Sequence, residues 1–162
     1  MRKLQDSTSH GCFDEWNEVK KSTEKRFNDL PFFKERDIFY SRLGKNIGYE
    51  QNGKNEEFVR PVVVVKKFNN RLFIGLPLTS IVKAGEYYID VSFQDSQNKN
   101  KIRNNSVILS QIRIFDSKRL TRKIGMVSKE DFERIRGRLV KFFMGKGQET
   151  QSRSRRNFVN TF

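Results

Sequence analysis

The 162-residue sequence predicts an α+β chain that is mainly β: a small, strongly curved antiparallel barrel. A helix follows the barrel and a short helical extension precedes it. Two observations carry this expectation. Five or six short runs rich in β-branched and aromatic residues follow one another from residue 37 to residue 126, separated by Gly-, Asn- and Pro-bearing turns. Behind them, one segment combines a capping sequence with apolar residues at helical spacing. The length suits one domain able to bury its own core.

The N-terminal stretch, residues 1–13, is polar and aperiodic and is expected to be disordered. From Asp14, the residues Trp16, Val19, Thr23 and Phe27 recur at helical spacing. Asp14 and Glu15 suit the start of that helix and Lys25 and Arg26 its end. Pro31-Phe32-Phe33 breaks it. The expected strands are 37–43, then 61–67 behind Arg60, then 71–78 after an Asn69-Asn70 hairpin turn. Two more are expected at 87–93 and 106–114, with a charged, Asn-rich connection over 94–105. Residues 120–126 form a possible last strand. Ser128 then caps a helix through residue 143, with Asp131 closing the cap and Val127 and Phe132 stapling it. Gly145 and Gly147 end it. The organisation is an N-terminal extension (1–34), a barrel domain (35–144) and a basic, disordered tail (145–162).

The chain carries 33 basic and 19 acidic residues, a formal charge of +14. That imbalance favours a polyanionic partner, nucleic acid or an anionic membrane surface. Fifteen phenylalanines beside the positive charge suit single-stranded nucleic acid, although most sit at core-like spacings. One cysteine, Cys12, excludes an internal disulfide and a multi-cysteine metal site. The lone histidine, His10, lies in the N-terminal stretch, and carboxylates are not grouped at ligand spacing. No metal or cofactor is expected. No run is long enough to span a membrane and no signal-peptide core follows the start, so a cytoplasmic protein is expected.

The chemistry-bearing groups converge on expected strand ends. Glu50 and Gln51 lie in a long polar loop between Gly44 and Val59, and Arg60 opens a four-valine run. Thr79 and Ser80 end the third strand, and Gln111 and Arg113 stand on the fifth. Phosphodiester cleavage needs a proton acceptor, a cation on the phosphorane and a donor to the leaving oxygen. Arg60 offers a bidentate fork and Thr79 a hydroxyl. Glu50 would act as base or orient Arg60. The bland alternative for each is a solvated strand flank, a turn and an exposed loop acid.

Several of these motifs, in order, resemble the MazF/PemK toxins of type II toxin–antitoxin systems. They are Gly48-Tyr49-Glu50-Gln51-Asn52-Gly53, Arg60-Pro61-Val62-Val63-Val64, Pro77-Leu78-Thr79-Ser80, Val107 to Arg113, and Gly125-Met126-Val127-Ser128. The resemblance covers about residues 35–143. It implies an SH3-like barrel of the MazF/PemK/CcdB type, a homodimer, and metal-independent cleavage of single-stranded RNA, often mRNA. It further implies attack by the 2′-hydroxyl, a 2′,3′-cyclic phosphate and 5′-hydroxyl as products, and a cognate antitoxin that blocks the RNA groove. By the same resemblance Arg60, Thr79 and Glu50 match the catalytic positions, and Gln51, Ser80, Gln111 and Arg113 fall to substrate binding. Ser110 stands where many members have Asp, and Ile108 where some have Arg. Those departures favour the Arg60/Thr79 scheme. They also motivate a competing reading, a non-catalytic RNA or partner binder on the same scaffold. A gyrase-poisoning toxin is a third reading, disfavoured by the Arg-Pro and Thr-Ser rim.

Overall fold

Val62, Val63 and Val64 are wholly buried, which consecutive strand residues can be only where both faces of a sheet are covered. Successive side chains point to opposite faces, so Val63 joins one core and Val62 and Val64 another. This β2 strand (Val59–Lys67) lies between β1 (Asp37–Arg42) and β3 (Leu72–Thr79), antiparallel to both. The computed structural model describes residues 7–28 and 30–145. Its remaining elements are α1 (Ser7–Glu24), β4 (Tyr88–Gln94), β5 (Ile102–Ile108), β6 (Arg113–Asp116), β7 (Leu120–Met126) and α2 (Lys129–Met144). The sheet runs β4-β5-β3-β2-β1-β7, with β6 also paired to β3.

The mainly β architecture with a helix at each end is as expected. The sheet is not a closed barrel. Its two ends approach where Phe93 packs on Gly125 and the Ser96 N–H donates to the Ile124 carbonyl at 2.9 Å. A Cβ on Gly125 would come within 2.3 Å of the Phe93 ring, so the approach requires glycine there.

The expected strand over 106–114 is in fact two. Strand β5 starts earlier, at Ile102, and pairs with β4 over its whole length. A 3-10 turn over Leu109–Gln111 then re-aims the chain into β6. Both pair with the same edge of β3: Leu72 to Gly75 take β6, while Leu78 and Thr79 take β5. The break falls opposite Leu76 and Pro77, and a proline has no N–H to offer the ladder. The Asn-rich 102–105 segment is strand rather than connection because cross-strand pairing outweighs the weak intrinsic preference of Asn.

Helix α1 also starts earlier than expected, at Ser7, so Asp14 and Glu15 lie inside it rather than at its start. The disorder expected over 7–13 is therefore corrected; for residues 1–6 it falls outside the described residues. The helix ends at Glu24, and Phe27 is left exposed beneath Lys118, whose Nζ lies 4.6 Å from the ring centre. Trp16 and Thr23 are buried against the body as the period predicts. At the other end, the Ser128 hydroxyl accepts the Asp131 N–H at 3.0 Å, as expected of an N-cap. The Asp131 carboxylate pairs forward with Arg134. Val127 and Phe132 are buried together with Ile135 and Leu139, the face of α2 that covers the first core. Gly145 ends the helix with φ +68°, and the expectations for Gly147 and the basic tail lie outside the described residues.

Candidate functional site

Arg60 enters β2 one residue before Pro61, at the open end of the central strands. Its backbone pairs with Ser41 of β1, and continuing the β2–β3 register by two residues sets it opposite Thr79. The side chain is 8% exposed. Nε donates to the Asn52 carbonyl at 2.8 Å and Nη1 reaches the Leu78 carbonyl at 3.5 Å. No carboxylate pairs with it among the described residues. Burial pulls the guanidinium below its ordinary pKa, yet an arginine does not give up its proton in a protein. A buried cation held only by neutral carbonyls is an unbalanced charge, and an incoming anion would balance it.

Arg60 lines an open cavity of about 790 Å³. Lys54 reaches it from the loop, Lys101 and Arg103 from β5 and its approach, and Arg122 from β7. Five cations thus face one lining carboxylate, Glu57, and that one pairs with Arg42 at 3.1 Å. Tyr40, on the neighbouring strand β1, also lines the cavity. The Arg122 guanidinium lies 5.3 Å from the Tyr40 ring centre. Burial alone would pull Arg103 down, but Asp95 at 2.6 Å and the Tyr40 phenol hold it above its ordinary range. Asp95 in turn sits below the usual carboxylate range, because the Gln97 N–H and then Arg103 bond to its charged form. Asn104 and Asn105 add amide donors and acceptors to the same wall. Cations, amides and one aromatic ring make a surface for phosphates and for the edges and faces of unpaired bases.

Of the residues singled out in the sequence, Arg60 and Ser80 line this cavity. Thr79 adjoins Ser80 at the end of β3, 8% exposed, with its hydroxyl accepting the Ile81 N–H at 3.3 Å. Glu50 is exposed on the loop, where Oε2 accepts the Ile47 N–H at 3.2 Å. Gln111 and Gln51 meet each other: Gln111 Oε1 accepts the Gln51 N–H at 2.9 Å, and Nε2 donates to the Tyr49 carbonyl at 3.3 Å. Gln111 therefore anchors the loop from the 3-10 turn. Arg113 lies on β6 opposite Gly75, its guanidinium 5.2 Å from the Phe115 ring centre. Glu50, Gln51, Gln111 and Arg113 are not among the cavity-lining residues.

Sequence reasoning did not single out Tyr40, Lys54, Lys101, Arg103 or Arg122. A signal existed in Lys99-Asn100-Lys101-Ile102-Arg103, whose basic residues alternate as a strand face would. It was hidden because that segment reads as a polar connection. Among the described residues no three His, Cys, Asp or Glu side chains group as metal ligands. Nor is any described helix long and apolar enough to cross a membrane.

The chain is thus a curved antiparallel sheet with a buried arginine, unpaired by any carboxylate among the described residues, near the end of its central strands. Residues 34–143, about two thirds of the chain, match the family of PemK-like, MazF-like toxins of type II toxin–antitoxin systems, and the protein belongs to that family. Comparison with the curated proteins returns no match. Among solved structures the chain is similar to MazF from Deinococcus radiodurans, with 16% identity and a TM-score of 0.52 over 71% of this chain and 99% of that one. It is also similar to an endoribonuclease from a mycobacterial species, with 14% identity and a TM-score of 0.49 over 74% and 96% of the two chains. At such identity the Deinococcus likeness establishes the fold.

Proposed function

We propose that this protein is a growth-inhibiting endoribonuclease that cleaves single-stranded RNA without a metal ion. The observation that carries the reading is Arg60, buried, charged and without a carboxylate partner at the wall of a cavity rich in cations and amides. In the proposed reaction the ribose 2′-oxygen attacks the adjacent phosphorus and loses its proton. The bond to the 5′-oxygen breaks and that oxygen gains a proton. The products are a 2′,3′-cyclic phosphate and a 5′-hydroxyl. Arg60 stabilises the charge on the non-bridging oxygens, strongest where water is excluded. Thr79 and Ser80, at the adjoining strand end, supply hydroxyl donors to the same phosphate. In this reading Glu57, the carboxylate that lines the cavity and pairs with Arg42, takes the proton, and Glu50 orients Arg60 by shaping the loop that bears Asn52.

The working assembly we infer is a homodimer in the cytoplasm, neutralised by a cognate antitoxin whose acidic segment occupies the Arg60 cavity. The proposed organisation keeps 35–144 as the catalytic unit, with 1–34 and 145–162 as additions to it.

Arg60→Ala should lower cleavage of a mixed-sequence RNA by roughly 100-fold or more, and Arg60→Lys should fail to restore it because the planar fork is lost. Cleavage-end mapping with and without EDTA checks both the products and the metal independence. Undiminished cleavage by Arg60→Ala would remove Arg60 from the mechanism. A wild-type protein that binds RNA but leaves it intact at high enzyme excess would instead establish the non-catalytic reading.

A further inference from the structure

A second basic cleft, of about 540 Å³, opens between α2 and the turn joining β3 to β4. Lys83 comes from the turn, and Arg134, Arg138 and Lys141 come from one face of α2. Arg138 Nη2 donates to the Glu86 carbonyl at 2.7 Å and Arg134 Nη2 to the Asp90 carbonyl at 3.2 Å, so neutral acceptors hold both forks across the cleft. Arg134 also pairs with Asp131 along the helix. No carboxylate pairs with Lys83, Arg138 or Lys141 among the described residues. The one acid lining the cleft, Asp90, accepts the Ser106 hydroxyl.

Gly137 lies between these cations on α2. A glycine inside a helix costs about 1 kcal/mol relative to alanine. Such a glycine usually admits a closely packed neighbour, but here a Cβ would find nothing within 4 Å. The protein thus keeps bare helix backbone facing open space between positive side chains. Beside the cleft in sequence stand Tyr87, Phe142 and Phe143, all exposed, in two edge-on contacts at 5.6 and 5.7 Å. Glu86 beside it holds the Tyr87 phenol above its ordinary range. Cations with exposed rings suit a single strand, whose phosphates need counter-charge and whose unpaired bases stack. An acidic peptide would use the cations and leave the rings idle.

The cleft also adjoins the Arg60 cavity. Ser80 lines one and Lys83 the other, and three residues span at most about 10 Å. The Lys83 N–H donates to the Ser106 hydroxyl at 3.0 Å, next in sequence to Asn105 of the first cavity. We propose that this cleft is an auxiliary RNA-binding site. It takes the phosphodiester backbone of the strand leaving the Arg60 cavity and sets unpaired bases against Tyr87, Phe142 and Phe143. This rests on the reading of RNA as the substrate.

The test uses the full chain and non-cleavable 2′-O-methyl oligonucleotides of about 4 and about 16 nucleotides, followed by fluorescence anisotropy. One variant is Lys83→Ala/Lys141→Ala. The other is Gly137→Glu, which puts a better helix former and a negative charge in the cleft, so folding is retained. Affinity for the longer oligonucleotide should fall about tenfold in each variant, and the double lysine change should flatten the salt slope by roughly 1.4. Affinity for the shorter one should not change. If both variants bind the longer oligonucleotide like the wild type, the cleft is not an RNA site and the Arg60 reading stands. If the wild type binds neither oligonucleotide, the RNA reading itself falls, and the cleft proposal with it. If the variants lose only a polyglutamate peptide, the cleft serves an acidic protein segment and the proposal is overturned.

Discussion

Arg60 and Gln111 show how differently two polar residues serve one loop. Arg60 takes the Asn52 carbonyl from the cavity side, and Gln111 takes the Gln51 N–H and Tyr49 carbonyl from the 3-10 turn. Between them they fix the segment whose tip carries Tyr49, fully exposed, and Gly48, at φ +56°. Gln111→Ala removes two loop anchors and should cost about 1–2 kcal/mol of stability. It should also speed amide exchange at Gln51 and proteolytic nicking within 45–53, while leaving the Arg60 contacts in place. Unchanged exchange at Gln51 would remove Gln111 from its anchoring role. Arg60 stands out as a candidate from its place before Pro61 and the valine run. The anchoring partners of Gln111 were not, because they lie some sixty residues away in the chain and only the fold brings them together.

Among the elements, α1 is the one that lies outside the family-matched segment and yet touches the base of the site loop. Trp16 packs against Phe58 with ring centres 5.6 Å apart and lies beneath Arg119 at 5.7 Å. The Leu43 and Gly44 N–H groups both donate to the Phe58 carbonyl, closing the loop at its neck. Gly44 sits at φ +94°, and a Cβ there would approach Trp16 Cε2 to 2.4 Å. Gly44→Ala should therefore displace Trp16 and cost about 1–3 kcal/mol. Trp16 is the only tryptophan, so the displacement reads directly as a red shift of intrinsic fluorescence. An unshifted spectrum would mean that α1 docks otherwise. The helical period of α1 and the capped α2 were both legible. The early start of α1 was not, since its first residues carry no apolar period to read.

At the scale of the whole molecule, the positive charge is organised rather than spread evenly. Five cations line the Arg60 cavity and four the α2 cleft, with one lining carboxylate in each. The wall of the first is tied to acid stability through Asp95. Its folded pKa lies below the unfolded value of about 3.9, so its contribution is complete above that value and is lost as pH falls through the lowered one. Asp95→Asn should lower Tm near neutral pH and reduce the steepness of acid unfolding below about pH 4. Equal acid steepness in wild type and variant would show that other carboxylates set it.

Local chemistry determined much of this protein without help from the fold. The valine run of β2, the Ser128 cap and staple of α2, the Trp16 face of α1 and the place of Arg60 at the head of β2 follow from patterns a few residues long. The tertiary structure alone decided the rest. It split the expected fifth strand at the edge that β3 shares between β5 and β6, brought the two ends of the open sheet together at Gly125, and assembled the cavity wall from Tyr40, Arg103 and Arg122. The reason is physical: periodicity reports which face of an element is buried, whereas a site wall depends on which strands become neighbours. That is set by long-range pairing, which no short window of sequence contains.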